Sequence, residues 1–250
     1  MKHPFFLFLI TSTLLWSCGG SENNNKHSGN SWCILLDMSG VREDTLTRRA
    51  YSDDMSKILA KLKPGDQFTV SLITESSVTE NNYLVNFKLP EFIPSTDNTL
   101  IADREKELFD GKNSHRLDSL NTFLKEFILH NDRVSSNTTI LDAIHVASLI
   151  FKDSASAKKL IIFSDMEEYS ELYKFPKEKF NDKRIEEIIN AESSGSRGLP
   201  DLKGVNIIVA GANSKNSERF YGVRNFWMKY FSKCNATLKE EHYGAAMGNI

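Results

Sequence analysis

Three short apolar runs constrain this chain more than anything else in it. Trp32-Cys33-Ile34-Leu35-Leu36-Asp37, Lys159-Leu160-Ile161-Ile162-Phe163-Ser164-Asp165 and Val205–Ala210 lack polar alternation, as strands buried on both faces do. Between them lie stretches with helical spacing. Tyr51, Met55, Ile58, Leu59 and Leu62 mark a helix over about 45–62, and Lys63-Pro64-Gly65-Asp66 stops it. Residues 89–131 form a long, mostly helical excursion with Leu117, Leu120, Phe123, Leu124, Phe127 and Ile128 on one face. A helix carrying Ile140, Leu141, Ile144 and Ala147 follows Asn137-Thr138-Thr139, and two more cover about 178–191 and 216–234. Phe68–Ile73 and Tyr83–Phe87 alternate cleanly and read as an antiparallel pair at a sheet edge, and Ala236–His242 reads as the last strand. Buried strands alternating with helices imply an α/β three-layer sandwich. Its sheet is mostly parallel, with one antiparallel edge strand and helices on both faces.

The first thirty residues read as an address. Lys2 precedes the apolar stretch Phe5–Ile10, and Leu14-Leu15-Trp16-Ser17-Cys18 leads into Gly19-Gly20-Ser21-Glu22-Asn23-Asn24-Asn25. The apolar run is shorter than the about 20 residues a spanning helix needs, and it fits a secretory signal. Leu15 at −3, Ser17 at −1 and Cys18 resemble the lipobox of bacterial lipoproteins, which implies lipidation at Cys18. The alternative is a plain signal peptide with Cys18 incidental. The expected organisation is a signal over 1–17, a tether over 18–30, one domain over 31–244 and a tail over 245–250. The expected place is the bacterial envelope, lipid-anchored at the outer membrane or facing the periplasm.

In an open parallel sheet, ligands bind beyond the carboxyl ends of the strands where strand order reverses. Asp37 and Asp165 both end such strands, Ser39 lies two residues past Asp37, and Thr138 opens a helix. If the first and fourth strands are neighbours, these oxygens converge, and hard ligands of this kind suit Mg²⁺. Ile34-Leu35-Leu36-Asp37-Met38-Ser39-Gly40, Thr138-Thr139-Ile140-Leu141-Asp142-Ala143-Ile144 and Ile161-Ile162-Phe163-Ser164-Asp165 together resemble a von Willebrand factor A domain. So do the Leu62–Asp66 turn and the ending Phe226-Trp227-Met228-Lys229-Tyr230-Phe231. The resemblance implies a Rossmann-like sheet and a metal-ion-dependent adhesion site reading Asp-x-Ser-x-Ser, then Thr, then Asp. Asp37, Ser39, Thr138 and Asp165 match that site. The second serine is replaced by Val41, which offers no ligand, so the site is degenerate. Thr139 is the alternative register for Thr138, and Arg42 is placed to pair with Asp37 instead of a metal. The implied role is recognition of a protein partner through loops 38–45, 75–82 and 165–175. The bland reading of the same carboxylates is that they accept backbone N–H groups of neighbouring loops.

Other chemistries fail on sequence. The formal net charge of −2, from 31 Lys+Arg and 33 Asp+Glu, argues against nucleic acid. The sequence has no Walker loop for a nucleotide, no His-Glu-x-x-His and no Gly-x-Ser-x-Gly. A haloacid-dehalogenase-like phosphohydrolase is the enzymatic alternative, but Ser39 stands where its second Asp is expected. A structural part of an envelope assembly with a vestigial site is a third reading. Phe226, Trp227, Tyr230 and Phe231 read as core at helical spacing, Glu167-Glu168 as a solvated loop, and Gly211-Ala212-Asn213 as an ordinary turn. Cys33 and Cys234 read as small buried apolar residues, with a disulfide between them as the alternative in an oxidising compartment.

Overall fold

The computed structural model describes residues 29–39, 44–75, 77, 83–131, 135, 137–152, 157–214 and 216–248. Cys18, Val41 and Arg42, and the expectations placed on them, lie outside the described residues. The elements in chain order are β1 (Ser31–Asp37), α1 (Thr45–Leu59), β2 (Gln67–Ile73), β3 (Tyr83–Lys88), α2 (Thr99–His130) and α3 (Ile140–Phe151). They continue as β4 (Lys158–Phe163), a 3-10 turn (Phe175–Lys177), α4 (Asp182–Ser194), β5 (Val205–Ala210), α5 (Ser217–Lys233) and β6 (Thr237–Gly244).

The six strands form one sheet in the order β3-β2-β1-β4-β5-β6. Every pairing is parallel except β2 with β3, so the single antiparallel strand is at an edge as expected. Strand order reverses between β1 and β4, which lie side by side with Leu36 opposite Phe163. β1 is buried along its whole length and feeds both faces of the sheet. Cys33 and Leu35 pack with α3, α4 and α5, whereas Trp32, Ile34 and Leu36 pack with α1 and α2. That two-sided burial explains the unbroken apolar run, because a strand covered on one face alone would alternate. The four aromatics of α5 from Phe226 to Phe231 are all core.

Cap chemistry fixes where four helices begin. Asp44, Asn98, Asn181 and Asn216 each accept backbone N–H bonds at the starts of α1, α2, α4 and α5. The Asn181 cap is why α4 starts later than its apolar spacing suggests. At the other end of α2, the buried Arg48 guanidinium donates to the carbonyls of Ile128 and Leu129, where the helix dipole favours positive charge. The chain end folds back: Met247 is buried, and its N–H donates to the Asp54 carboxylate on α1 at 3.0 Å. Cys33 and Cys234 are both buried free thiols, with burial pushing each up to about 12. Among the described residues no helix is long and apolar enough to cross a membrane.

Candidate functional site

The carboxyl ends of β1 and β4 meet at the reversal point, and three of the four expected side chains converge there. One oxygen of Asp37 accepts the Ser39 N–H at 2.9 Å and the Ser39 hydroxyl at 2.6 Å. Ser39 Oγ also lies 2.5 Å from Thr138 Oγ1, at the entry to α3. The threonine register is therefore Thr138. Thr139 turns the other way, its hydroxyl donating to the Thr74 carbonyl beyond β2 at 2.5 Å.

The second Asp37 oxygen accepts the hydroxyl of Ser164 at 2.7 Å. Ser164 was not singled out from sequence, and its only signal was its place just past β4, one residue before Asp165. Burial pushes the Asp37 carboxyl up, and its hydrogen bonds from Ser39 and Ser164 oppose that shift. Asp165 is exposed to solvent beside these oxygens. Desolvation by the surrounding loops and then the negative charge of Asp37 push it up to about 7. The two carboxylates thus repel each other across the site, and a cation would relieve that repulsion.

The loop after Asp165 is fastened, not solvated. Met166 takes a positive φ of 66° and is fully buried, its N–H bonded to Ser164 Oγ and its carbonyl accepting the Trp227 indole N–H at 2.9 Å. Glu167 pairs with Arg219 of α5 through both guanidinium branches, and the same Arg219 donates to the carbonyls of Phe175 and Glu178. Glu168 is buried and accepts the Leu141 N–H at 3.1 Å, in the first turn of α3. Thr139, the residue before α3, makes no side-chain cap bond, so the carboxylate of Glu168 does that work from another loop. Tyr169 completes the fastening with two backbone bonds to Thr138, each 2.9 Å. The expectation of a solvated Glu167-Glu168 is corrected on both counts: one glutamate is an ion-pair partner and the other a helix cap.

Gly211 needs its φ of +105°, and a Cβ there would meet Tyr51 Oη at 2.1 Å. The turn is thus packed against tyrosine on its Cα side. Of the expected contact loops, the described part of 165–175 exposes Leu172, and Leu46, in the first turn of α1 just past the loop 38–45, is exposed too, at 77% and 76%. Among the described residues no group of three or more His, Cys, Asp or Glu side chains gathers, so any cation here would rely on hydroxyl ligands.

No protein-family model matches the chain, and no curated protein matches it. Among solved structures it is similar to an aerotolerance-related membrane protein from Bacteroides fragilis, at 14% identity and a TM-score of 0.36, covering 73% of this chain and 67% of that one. It is also similar to the ArnB paralog VWA2 from Sulfolobus acidocaldarius, at 14% identity and a TM-score of 0.39, covering 73% of this chain and 34% of that one. A third is proximal thread matrix protein 1 from the mussel byssus, in a structure described as having a zinc-occupied MIDAS motif. There the identity is 12%, the TM-score 0.38, and the coverage 78% of this chain and 39% of that one. The chain thus spans about a third of the second protein and about two fifths of the third. What assigns the architecture is the chain's own strand order, its one antiparallel edge and the reversal between β1 and β4. On those grounds the chain has a Rossmann-like α/β three-layer fold, the fold that the sequence resemblance implies.

Proposed function

We propose that this chain is a binding module of the cell envelope, anchored through lipid on Cys18 and recognising a protein partner at the carboxyl ends of β1 and β4. The observation that carries the reading is the convergence of Asp37, Ser39 and Thr138 oxygens, with neighbouring contacts of 2.5–2.6 Å, beside the solvent-facing Asp165. Exposed Leu46 at the start of α1 and Leu172 in the loop after β4 supply apolar contact area of the kind an interface covers.

The donor set fits a hard divalent cation. Two carboxylates and two hydroxyls are available; the oxygens of Asp37, Ser39 and Thr138 are now hydrogen-bonded at 2.5–2.6 Å and would spread to the about 3.0 Å edge of an octahedron with Mg–O near 2.1 Å. Asp37, Ser39 and Thr138 would hold Mg²⁺, with Asp165 beside them, and Val41 leaves one expected ligand missing. The ion would supply an open coordination position for a partner's carboxylate. Catalysis is not part of this proposal.

Calorimetric titration of the chain with Mg²⁺ and with Mn²⁺ tests the metal, with Asp37→Ala and Thr138→Val alongside. Binding heat in the parent chain that both variants lose is the expected result. Silence in the parent chain leaves the site vestigial and the module structural. Turnover of a generic phosphoester that disappears in Asp37→Asn would replace the proposal with the enzyme. Unchanged palmitate labelling in Cys18→Ser would remove the anchor.

A further inference from the structure

We infer that the N-terminal half of α2 is a finger that rests on the bilayer to which the chain is tethered; this depends on the lipid-anchor reading above. Arg48 reaches Ile128 and Leu129, and Ser56 Oγ donates to Asn121 at 2.8 Å, so α1 and α2 run antiparallel. By that register α1, ending at Leu59, stops level with about residue 118 of α2. Residues 99–116 therefore continue about 27 Å past it, at 1.5 Å per residue. Over that stretch Asn113 alone is buried. Leu117, Leu120, Leu124 and Phe127, just beyond, are the part that packs on the sheet.

The preceding segment runs back along the overhang as a strap. Phe92 and Phe109 have ring centroids 5.5 Å apart, Ser95 N–H donates to Glu105 at 3.1 Å, and Asn98 caps the helix. A helix with its own strap holds a finger straight. Its apolar residues are left outside: Ile93, Leu100, Ile101 and Leu108 are 82%, 79%, 50% and 61% exposed. Leu100, Arg104, Leu108 and Lys112 follow one another at four-residue spacing on one helix face. Asp103 and Glu107 lie among these residues, so the face is amphipathic and of mixed charge; its exposed leucines and long Arg104 and Lys112 side chains suit a membrane interface, where the apolar chains enter and the cations reach headgroups.

The finger leaves the domain where the chain enters it. Asn30 N–H bonds Asp66 at 2.7 Å, and Gly65 N–H bonds the carbonyl of Leu89, the residue from which the strap departs, at 2.8 Å. Cys18 lies eleven residues before Gly29, so the anchor is at most about 39 Å from the base of the sheet. A 27 Å finger beside such a tether meets the same surface. The helix is too polar to cross it, and the oxygen cluster, at the opposite ends of the strands, faces away.

The test uses full-length lipidated protein in vesicles of phosphatidylethanolamine and phosphatidylglycerol, with a share of the lipid brominated in its acyl chains. A tryptophan is introduced by Leu108→Trp on the finger or by Leu172→Trp beside the oxygen cluster, both at exposed positions that leave the core alone. With both proteins floating with the vesicles, bromolipid should quench the added emission of Leu108→Trp by roughly twofold and leave that of Leu172→Trp unchanged. Flotation with no quenching at 108, equal quenching at both positions, or a blue shift at 108 caused by pairing with a second copy would each overturn the finger while leaving the anchor intact. Failure to float would defeat the anchor itself, and the finger's role with it.

Discussion

Glu168, like Asp165, whose carboxyl is raised to about 7 and acts in the same direction, is a residue whose chemistry is exposed to pH. Burial raises its carboxyl from the ordinary 4.5 to about 7, against hydrogen bonds from the start of α3 that favour the charged form. Between those values the folded chain holds a proton that the unfolded chain has released, so stability falls as pH rises from about 4.5 through about 7. The loss is on the order of 3 kcal/mol when the rise is complete. His145, which burial lowers below 6.5, acts in the opposite direction within part of that window. A difference between two proteins isolates the glutamate. Glu168→Gln keeps an acceptor for the Leu141 N–H and removes the charge. Urea midpoints at pH 5 and pH 8 should show the variant losing less stability than the parent chain and exceeding it at pH 8; parallel curves would reject the assignment. Met166, two residues earlier, sets two effects against each other. Its left-handed backbone costs about 1 kcal/mol, and its fully buried side chain contributes about 3 kcal/mol. Met166→Gly should therefore destabilise by about 2 kcal/mol in denaturant titration, because burial outweighs strain.

At the scale of elements, the loop between β4 and α4 behaves as part of the core because one arginine binds it. Arg219 touches Glu167 and the carbonyls of Phe175 and Glu178, with its side chain 17% exposed. Arg219→Ala leaves a shielded carboxylate and two carbonyls short of a donor, a loss of about 3 kcal/mol. Hydrogen exchange across residues 166–178 should accelerate well beyond that of β1 and β4, whereas equal acceleration everywhere would mean the arginine serves global stability alone. This is also where the sequence stopped being readable. The strands were legible because burial on both faces writes itself as an apolar run, and the oxygen set followed because Asp37 and Asp165 end two of those runs. Ser164, Glu168 and Arg219 were not legible. Each acts through a partner distant in sequence: Ser164 on Asp37, Glu168 on Leu141, Arg219 on Glu167. The solitary projection of residues 99–116 was hidden for another reason. A helix that leaves its domain keeps a helical pattern, and nothing in that pattern records where its neighbours end.

For the whole molecule, the two described tryptophans stand toward opposite ends of the strands and would report on different ends of the sheet. Trp32 lies at the amino end of β1, its indole N–H donating to Asp66 at 3.1 Å and its ring beneath Lys159. Trp227 is fully buried, and its N–H holds the carbonyl of Met166, the residue after Asp165. A ligand that draws Asp165 toward Asp37 moves the Met166 peptide, and through that 2.9 Å bond it changes the surroundings of Trp227. Trp32 is separated from Asp37 by most of the length of β1, five residues or about 17 Å. Trp32→Phe should therefore keep a fluorescence response to Mg²⁺, and Trp227→Phe should lose it while still binding the ion in calorimetry. A response carried by Trp32 instead would mean that the two ends are coupled through the sheet, and the separation of tethering base from recognising tip would have to be given up. If the response belongs to Trp227 alone, the parallel sheet acts as a spacer: one end is fixed by the entering chain and the overhanging helix, and the other is free to meet a partner.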